Sequence, residues 1–324
     1  MSLTSIAAIE IEVESTWPDE FLAEARAHRS LIIDCQRERQ RIDRLVRDDV
    51  IRRTFPPSNR HEPDYLTLVR LLDAVLLPHR LVGYHCTRLT PREIAGIEIA
   101  GMRTLSAALV REKIRGCVTD GHLNPEQGEF LLRQESQIAA LSDRHGRRTG
   151  MIWFCPNRST LRSPSHVYRL LRYWGGEATR GSPAGHPDIL REIAHIGTPC
   201  IVKCAIPLVD ARQFRDSYAE RFLSQFVAAE VEYPEPTADF DLYTEADLAG
   251  ANVLKVIAFA DAEFEELTGQ SAWPARESLN PTGQHGLLED GAEMIASPSA
   301  DVHALFEVSD AERAEIIERL EREI

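Results

Sequence analysis

Tyr84-His85-Cys86-Thr87 closes an apolar run, Trp153 sits inside Gly150-Met151-Ile152-Trp153-Phe154-Cys155, and Glu177 follows the glycine pair Gly175-Gly176. These residue types offer three abilities. A histidine at a strand end can exchange hydrogen bonds with a hydroxyl group. An indole presents a flat stacking surface. A carboxylate on a glycine turn can stabilise positive charge on a ligand that approaches the backbone closely. Each also has a plainer reading: a structural histidine, a core tryptophan, and a helix end (Arg172, Tyr173, Trp174) packed on the core. Motifs with fixed local spacing are absent. There is no GxxxxGK[ST] loop, no HExxH, no GxSxG and no GxGxxG after a strand-like run. His166, His186 and His195 lack metal-ligand spacing, and the six cysteines (35, 86, 117, 155, 200, 204) contain no CxxC pair. Cys200 and Cys204 flank a strand-like run without two further ligands at suitable spacing. The reading is therefore of reduced, mostly buried thiols and no metal.

The elements that must position these residues are legible from periodicity. Residues 9–14 alternate apolar and acidic, as a half-buried strand does. Helical pattern runs from about Pro18 to Arg53, with Asp–Arg pairs at i,i+4 (43–47, 48–52, 49–53). Pro56-Pro57-Ser58-Asn59 breaks it, and a second helix covers about 64–77. A strand at 81–87 leads into Thr90-Pro91-Arg92-Glu93, which joins an N-cap, a first-turn proline and a capping-box glutamate. Ile94 and Ile97 give that helix an apolar face with Ile99 at its margin, and Gly101 stops it. Helices follow at about 104–115 and 125–142. Then come a strand at 150–155, a helix at 164–174, a glycine-rich loop at 175–185 and a helix at 187–195. Strands are expected at 200–206, about 240–243 and 251–259. Residues 267–300 read as a loop or linker. The chain ends in a helix capped by Ser309 and Glu312, with an apolar stripe at Ile316, Leu320 and Ile324.

The 324 residues are 43% hydrophobic and 27% charged, which suits a globular protein and not a disordered one. No apolar run reaches the about 18 residues of a membrane span. The acidic start, MSLTSIAAIEIEVE, is unlike an export signal, so a cytoplasmic protein is expected. The net charge of −14 is unevenly placed: residues 1–208 carry 29 basic and 25 acidic side chains, residues 209–324 carry 8 and 26. The acidic part argues against broad nucleic-acid binding. The arginine-rich part leaves room for a phosphate site, because guanidinium matches phosphate in a bidentate fork.

The order of segments over about 81–260 resembles the ADP-ribosyltransferase-like fold, in the histidine-bearing branch that includes the poly-ADP-ribose polymerases. There a strand ends in His-Gly-Ser or His-Gly-Thr. A helix with Ile-x-x-x-Gly-apolar follows, as at Ile97 and Gly101-Met102. Later come a Gly-x-Tyr-Phe strand, a helix, and further strands, one introduced by a glutamate. The resemblance implies an α+β fold: a split β-sheet core at 81–266, an added mainly helical region at 1–80, and an acidic linker with a C-terminal helix at 267–324. It also implies NAD as substrate, cleavage of the nicotinamide–ribose bond through an oxocarbenium-like transition state, and transfer of ADP-ribose to a protein or nucleic-acid acceptor.

By position, His85 would bind the adenosine ribose, the backbone of Cys86 would face the nicotinamide amide, Thr87 would hydrogen-bond nearby, and Trp153 would stack on the nicotinamide. Tyr84, Arg88 and Tyr173 flank these positions, with Arg88 a candidate for the pyrophosphate. Cys86 stands where the family has Gly, and Trp153 where it has Tyr. The carboxylate is Glu177 by local setting. Asp241 and Glu230, with Glu232 and Asp239 beside them, are alternatives that precede a late strand. Two other readings stay open. One is an inactive NAD- or ADP-ribose-binding or protein-interaction module. The other is an interaction protein whose acidic last third docks a partner, such as the neutralising partner of a toxic transferase.

Overall fold

The computed structural model describes residues 8–47, 57–133, 148–162, 170–176, 187–213, 217–231 and 241–270. The elements in chain order are α1 (Asp19–Ala27), α2 (Arg29–Arg47), α3 (Glu62–Leu76), β1 (Arg80–Leu89), α4 (Pro91–Ala100), β2 (Gly101–Met102), α5 (Ala107–Thr119), α6 (Pro125–Arg133), β3 (Ile152–Phe154), α7 (Arg158–Leu161), α8 (Pro187–Ile193), β4 (Thr198–Pro207), β5 (Ala211–Gln213), α9 (Tyr218–Phe226), β6 (Leu242–Thr244), β7 (Leu248–Ala249), β8 (Val253–Ala258) and α10 (Ala262–Thr268). The class is mixed α+β with small antiparallel sheets.

The chain divides into two compact units, Ser30–Leu66 with Ala275–Ile324, and Met1–Arg29 with Thr67–Pro274. In the described part of the first, Gln36 donates to the buried Tyr65 hydroxyl (3.1 Å), and Arg39 grips Glu62. The second unit carries the sheets. β1, β4 and β8 form one antiparallel sheet in that order; β3, β6 and β5 form another. Among the described residues the two are joined by one bridge, in which Tyr84 and Cys155 exchange both backbone hydrogen bonds (2.8 and 2.9 Å). Gly83 makes room for this crossing, because a Cβ there would lie 3.0 Å from Cβ of Phe154. Gly101 has φ 94°, and a Cβ there would collide with the Leu248 carbonyl in the short β2–β7 pair.

β1 is buried along nearly its whole length. Its even-numbered Val82, Tyr84 and Cys86 pack with Ile201 of β4, Ile257 of β8, and Leu161, Phe264 and Leu267 of helices α7 and α10. Alternation sends its odd-numbered side chains to the other face.

Local signals produced several elements as read. α4 is closed by the expected capping box: the Glu93 amide donates to Thr90 Oγ1 (3.3 Å) and the Thr90 amide to Glu93 Oε2 (2.7 Å). Other elements differ from the reading. Residues 9–14 keep their alternation, with Ile9 and Ile11 buried, but only Ile9 bridges β1. Beyond it, Thr16 Oγ1 accepts from the Glu10 amide (2.9 Å) and Trp17 Nε1 donates to the Glu10 carbonyl (2.9 Å), so the backbone turns instead of pairing. The helix expected across 18–53 is two helices that meet at His28. α9 has no counterpart in the periodicity reading, although Ser217 and Glu220 close a full capping box on it. The helices expected over 125–142 and 164–174 are described only in part, and 271–324, with the expected C-terminal helix, lies outside the described residues.

Candidate functional site

The split between the sheets creates the site. Val82 and Tyr84 turn their backbone groups toward Ile9 and Cys155, on the edge of β1 away from β4. Two-residue alternation puts the N–H and C=O of Cys86 on that same edge. A continued ladder would pair Cys86 with Trp153. Instead β3 has turned away to pair with β6, Trp153 opposite Tyr243, and the Trp153 carbonyl accepts from His85 Nδ1 (2.8 Å). A carbonyl can only accept, so Nδ1 carries the proton and Nε2 is left as an acceptor. Burial lowers the His85 pKa, and the nearby cations Lys113 and Arg148 push the same way, outweighing the carbonyl contact. His85 is thus a neutral imidazole with Nε2 as its acceptor nitrogen, and it lines a cavity.

That cavity measures about 520 Å³, well within the range of small-molecule sites. His85, Cys86 and Thr87 form one wall, α4 and α5 another, Met151 to Trp153 a third, and Trp174 to Gly176 close it. Cys86 contributes backbone, since its side chain belongs to the core behind. Burial pushes its thiol up to about 12 and the Cys155 thiol well above its ordinary value, so neither supplies a thiolate.

The cavity wall is ionic as well as apolar. Glu93 Oε1 pairs with Lys113 Nζ (2.9 Å), and Oε2 accepts from Trp174 Nε1 (3.0 Å) besides the Thr90 amide. Burial alone would raise the Glu93 pKa; Lys113, the Thr90 amide and the Trp174 N–H overcome it, and the group is held as a carboxylate below its usual range. Lys113 also lies over the Trp174 ring at 5.5 Å. Arg92 pairs with Asp120 (Nε to Oδ2, 2.8 Å) and Arg103 with Glu112 (2.8 Å). The Arg148 guanidinium lies over the Trp153 ring at 5.3 Å.

Of the residues singled out from sequence, His85, Cys86, Thr87 and Trp153 meet at this cavity. Tyr84 and Arg88 do not line it. Strand parity turns them to the opposite face, where the Tyr84 hydroxyl accepts from Arg158 Nε (3.1 Å). Arg88 is buried with its guanidinium on the carbonyls of Ile196 (3.0 Å), Leu171 (3.4 Å) and Gly197 (2.8 Å), so it holds backbone where a pyrophosphate contact was expected. Burial lowers its pKa to about 10, which leaves it protonated at neutral pH. Tyr173 is buried outside the lining, under the Arg172 guanidinium. Asp241, also outside it, accepts from Cys155 Sγ (3.7 Å), and Glu230 is paired with Arg29. Glu177, Glu232, Asp239, His166 and His186 lie outside the described residues. Glu93, Lys113, Trp174, Arg148 and Tyr243 are the site's neighbours that the sequence reading missed. Only Glu93 carried a local signal, and that signal reported its capping role.

Among the described residues no three His, Cys, Asp or Glu side chains are placed to hold a metal ion, and no helix is long and apolar enough to cross a membrane. Comparison of the chain with protein-family models, with curated proteins and with solved structures gives no match.

Proposed function

We propose that the cavity binds NAD and that the protein is an ADP-ribosyltransferase acting on a macromolecular acceptor. The observation that carries this reading is the geometry at the sheet split. One residue pair past the Tyr84–Cys155 bridge, a neutral histidine with an acceptor nitrogen, and Cys86 with a free-standing backbone edge, line one cavity beside an indole. NAD fits those groups. His85 Nε2 accepts a hydrogen bond from a ribose hydroxyl. The Cys86 N–H and C=O are a donor and an acceptor side by side, matching a carboxamide. Trp153 supplies the flat surface for the ring, and the arginines of the wall favour a diphosphate. NAD itself supplies the labile nicotinamide–ribose bond and the ADP-ribosyl group. The test is incubation of the full chain with NAD labelled in both halves. Release of nicotinamide by the wild type, lost in His85→Ala, is expected. No release together with no transfer sinks the catalytic reading.

A specific observation favours the inactive module as the second reading. The acids described in the cavity wall, Glu93, Glu112 and Asp120, are each engaged by a cation of the same wall. Calorimetry showing that NAD or ADP-ribose binds without turnover selects this reading.

A further inference from the structure

We infer that the Glu93–Lys113 pair is the anion site of the cavity: Lys113 takes the diphosphate of a nucleotide, and Glu93 holds the ammonium in place for it. The inference deepens the NAD reading and rests on it. Lys113 Nζ stands 2.9 Å from Glu93 Oε1, and both residues line the cavity. Glu93 is itself anchored, because Oε2 accepts from the Thr90 amide (2.7 Å) and from Trp174 Nε1 (3.0 Å). An ammonium carries three donors. One meets Glu93, and the Trp174 ring lies 5.5 Å from Nζ. Even with a second N–H turned to that ring, a third is left for a ligand. A glutamate that orients the lysine gripping phosphate is a division of labour that protein kinases also use.

Two features set Lys113 apart from Arg92 and Arg103, the arginines of the wall that pair with its carboxylates. Its side chain is 24% exposed, against 60% for Arg92 and 47% for Arg103, so solvent screens its charge least. The second feature is a matched pair of glycines. Gly96 stands three residues after Glu93 on α4, and Gly116 three residues after Lys113 on α5. Both line the cavity, and a Cβ built on either meets nothing within 4 Å. A helical side chain leans over the turn that precedes it. A larger residue at 96 would therefore lie over Glu93, and one at 116 over Lys113. Neither crowding nor a left-handed backbone requires glycine at these positions, and each glycine weakens its helix relative to alanine. What they provide is an uncovered ion pair on a cavity wall. A phosphate reaches Nζ there without displacing Glu93, as a second acceptor for an ammonium that has one carboxylate partner.

The test uses the full chain, with inorganic pyrophosphate, ADP-ribose and NAD as probes in calorimetry and nicotinamide release as a second readout. Lys113→Met should weaken all three probes about tenfold or more, as for one lost charge-assisted hydrogen bond, and adenosine, which has no phosphate, by less than about twofold. Lys113→Arg keeps the charge and should fall between. Gly116→Leu leaves the ion pair in place and adds a good helix former. It should weaken the same three probes while its melting temperature stays at or above that of the wild type, so its loss of binding cannot come from misfolding. Pyrophosphate or ADP-ribose bound equally by Lys113→Met and the wild type, equal weakening of adenosine, full binding by Gly116→Leu, or no binding of any probe to the wild type overturns the inference. If pyrophosphate and ADP-ribose bind through Lys113 while NAD neither binds nor releases nicotinamide, the NAD reading fails and the anion site stands. If NAD is bound and cleaved alike by the wild type and Lys113→Met, the anion site fails and the NAD reading stands.

Discussion

The two faces of β1 carry similar polar residues and use them differently. On the even face the buried polar side chains of Tyr84 and Arg88 are consumed within the fold. The Tyr84 hydroxyl joins a cluster in which Arg158 and Lys203 both grip Glu10, and Arg88 satisfies three backbone carbonyls. On the odd face His85 spends one ring nitrogen on Trp153, keeps the other as an acceptor, and lines the cavity. A polar residue in a strand is thus not a site residue by virtue of its neighbours in sequence. What matters is whether its own face meets a partner or a space.

Substitutions can break this contrast. The largest effect is expected for Arg88→Ala, which leaves three carbonyls without their donor in a buried setting; a loss of about 3–4 kcal/mol in denaturant unfolding is expected. A loss under about 1 kcal/mol would show that the even face is not structural. Glu93→Gln, on the cavity side, should cost about 2–3 kcal/mol by the same measurement. It leaves the partly buried Lys113 without its counter-charge and weakens both the cap and the Trp174 contact. Glu10→Gln should cost about 1 kcal/mol, since its pairs with Arg158 and Lys203 are part-exposed. His85→Ala should behave oppositely. Its stability change should be the smallest of the four, with NAD affinity by calorimetry reduced about tenfold for one lost hydrogen bond. A variant that unfolds but binds NAD normally when folded would place His85 with the even face.

The smallest effect is in pH. The folded pKa of His85 lies below its ordinary 6.5, so between those two values the unfolded chain binds a proton that the folded chain does not. Stability from this group is full above pH 6.5 and is lost as pH falls toward the folded value. Chemical denaturation between pH 7 and pH 5 should show a slope that His85→Ala reduces. An identical slope in the variant would assign the acid sensitivity elsewhere.

Much of this was legible in sequence and some was misread against plain rules. The strand at 81–87, the cap at Thr90 and the glycine stop at 101 are local, and local physics determines them. Strand parity was available too: Tyr84 and Arg88 are one and three residues from His85, odd offsets that place them on the other face. Ser217 and Glu220 announced α9 as clearly as Thr90 and Glu93 announced α4. Other features had no local signature. Glu93 meets Lys113 twenty positions on and Trp174 eighty-one positions on, and Arg148 meets Trp153 only because β3 leaves β1. Ile99, read at the margin of an apolar face, is 83% exposed, because two positions along a helix turn it about 200° away from Ile97, which lines the cavity.

The Tyr84–Cys155 bridge has a consequence for measurement. Both amides are closed into one reciprocal hydrogen-bonded pair at the place where the two sheets part. Their solvent exchange rates therefore report the opening of that junction directly. Deuterium uptake at these two positions, followed with and without NAD, reads how often the junction opens, and a ligand that bridges β1 to β3 should slow both amides together.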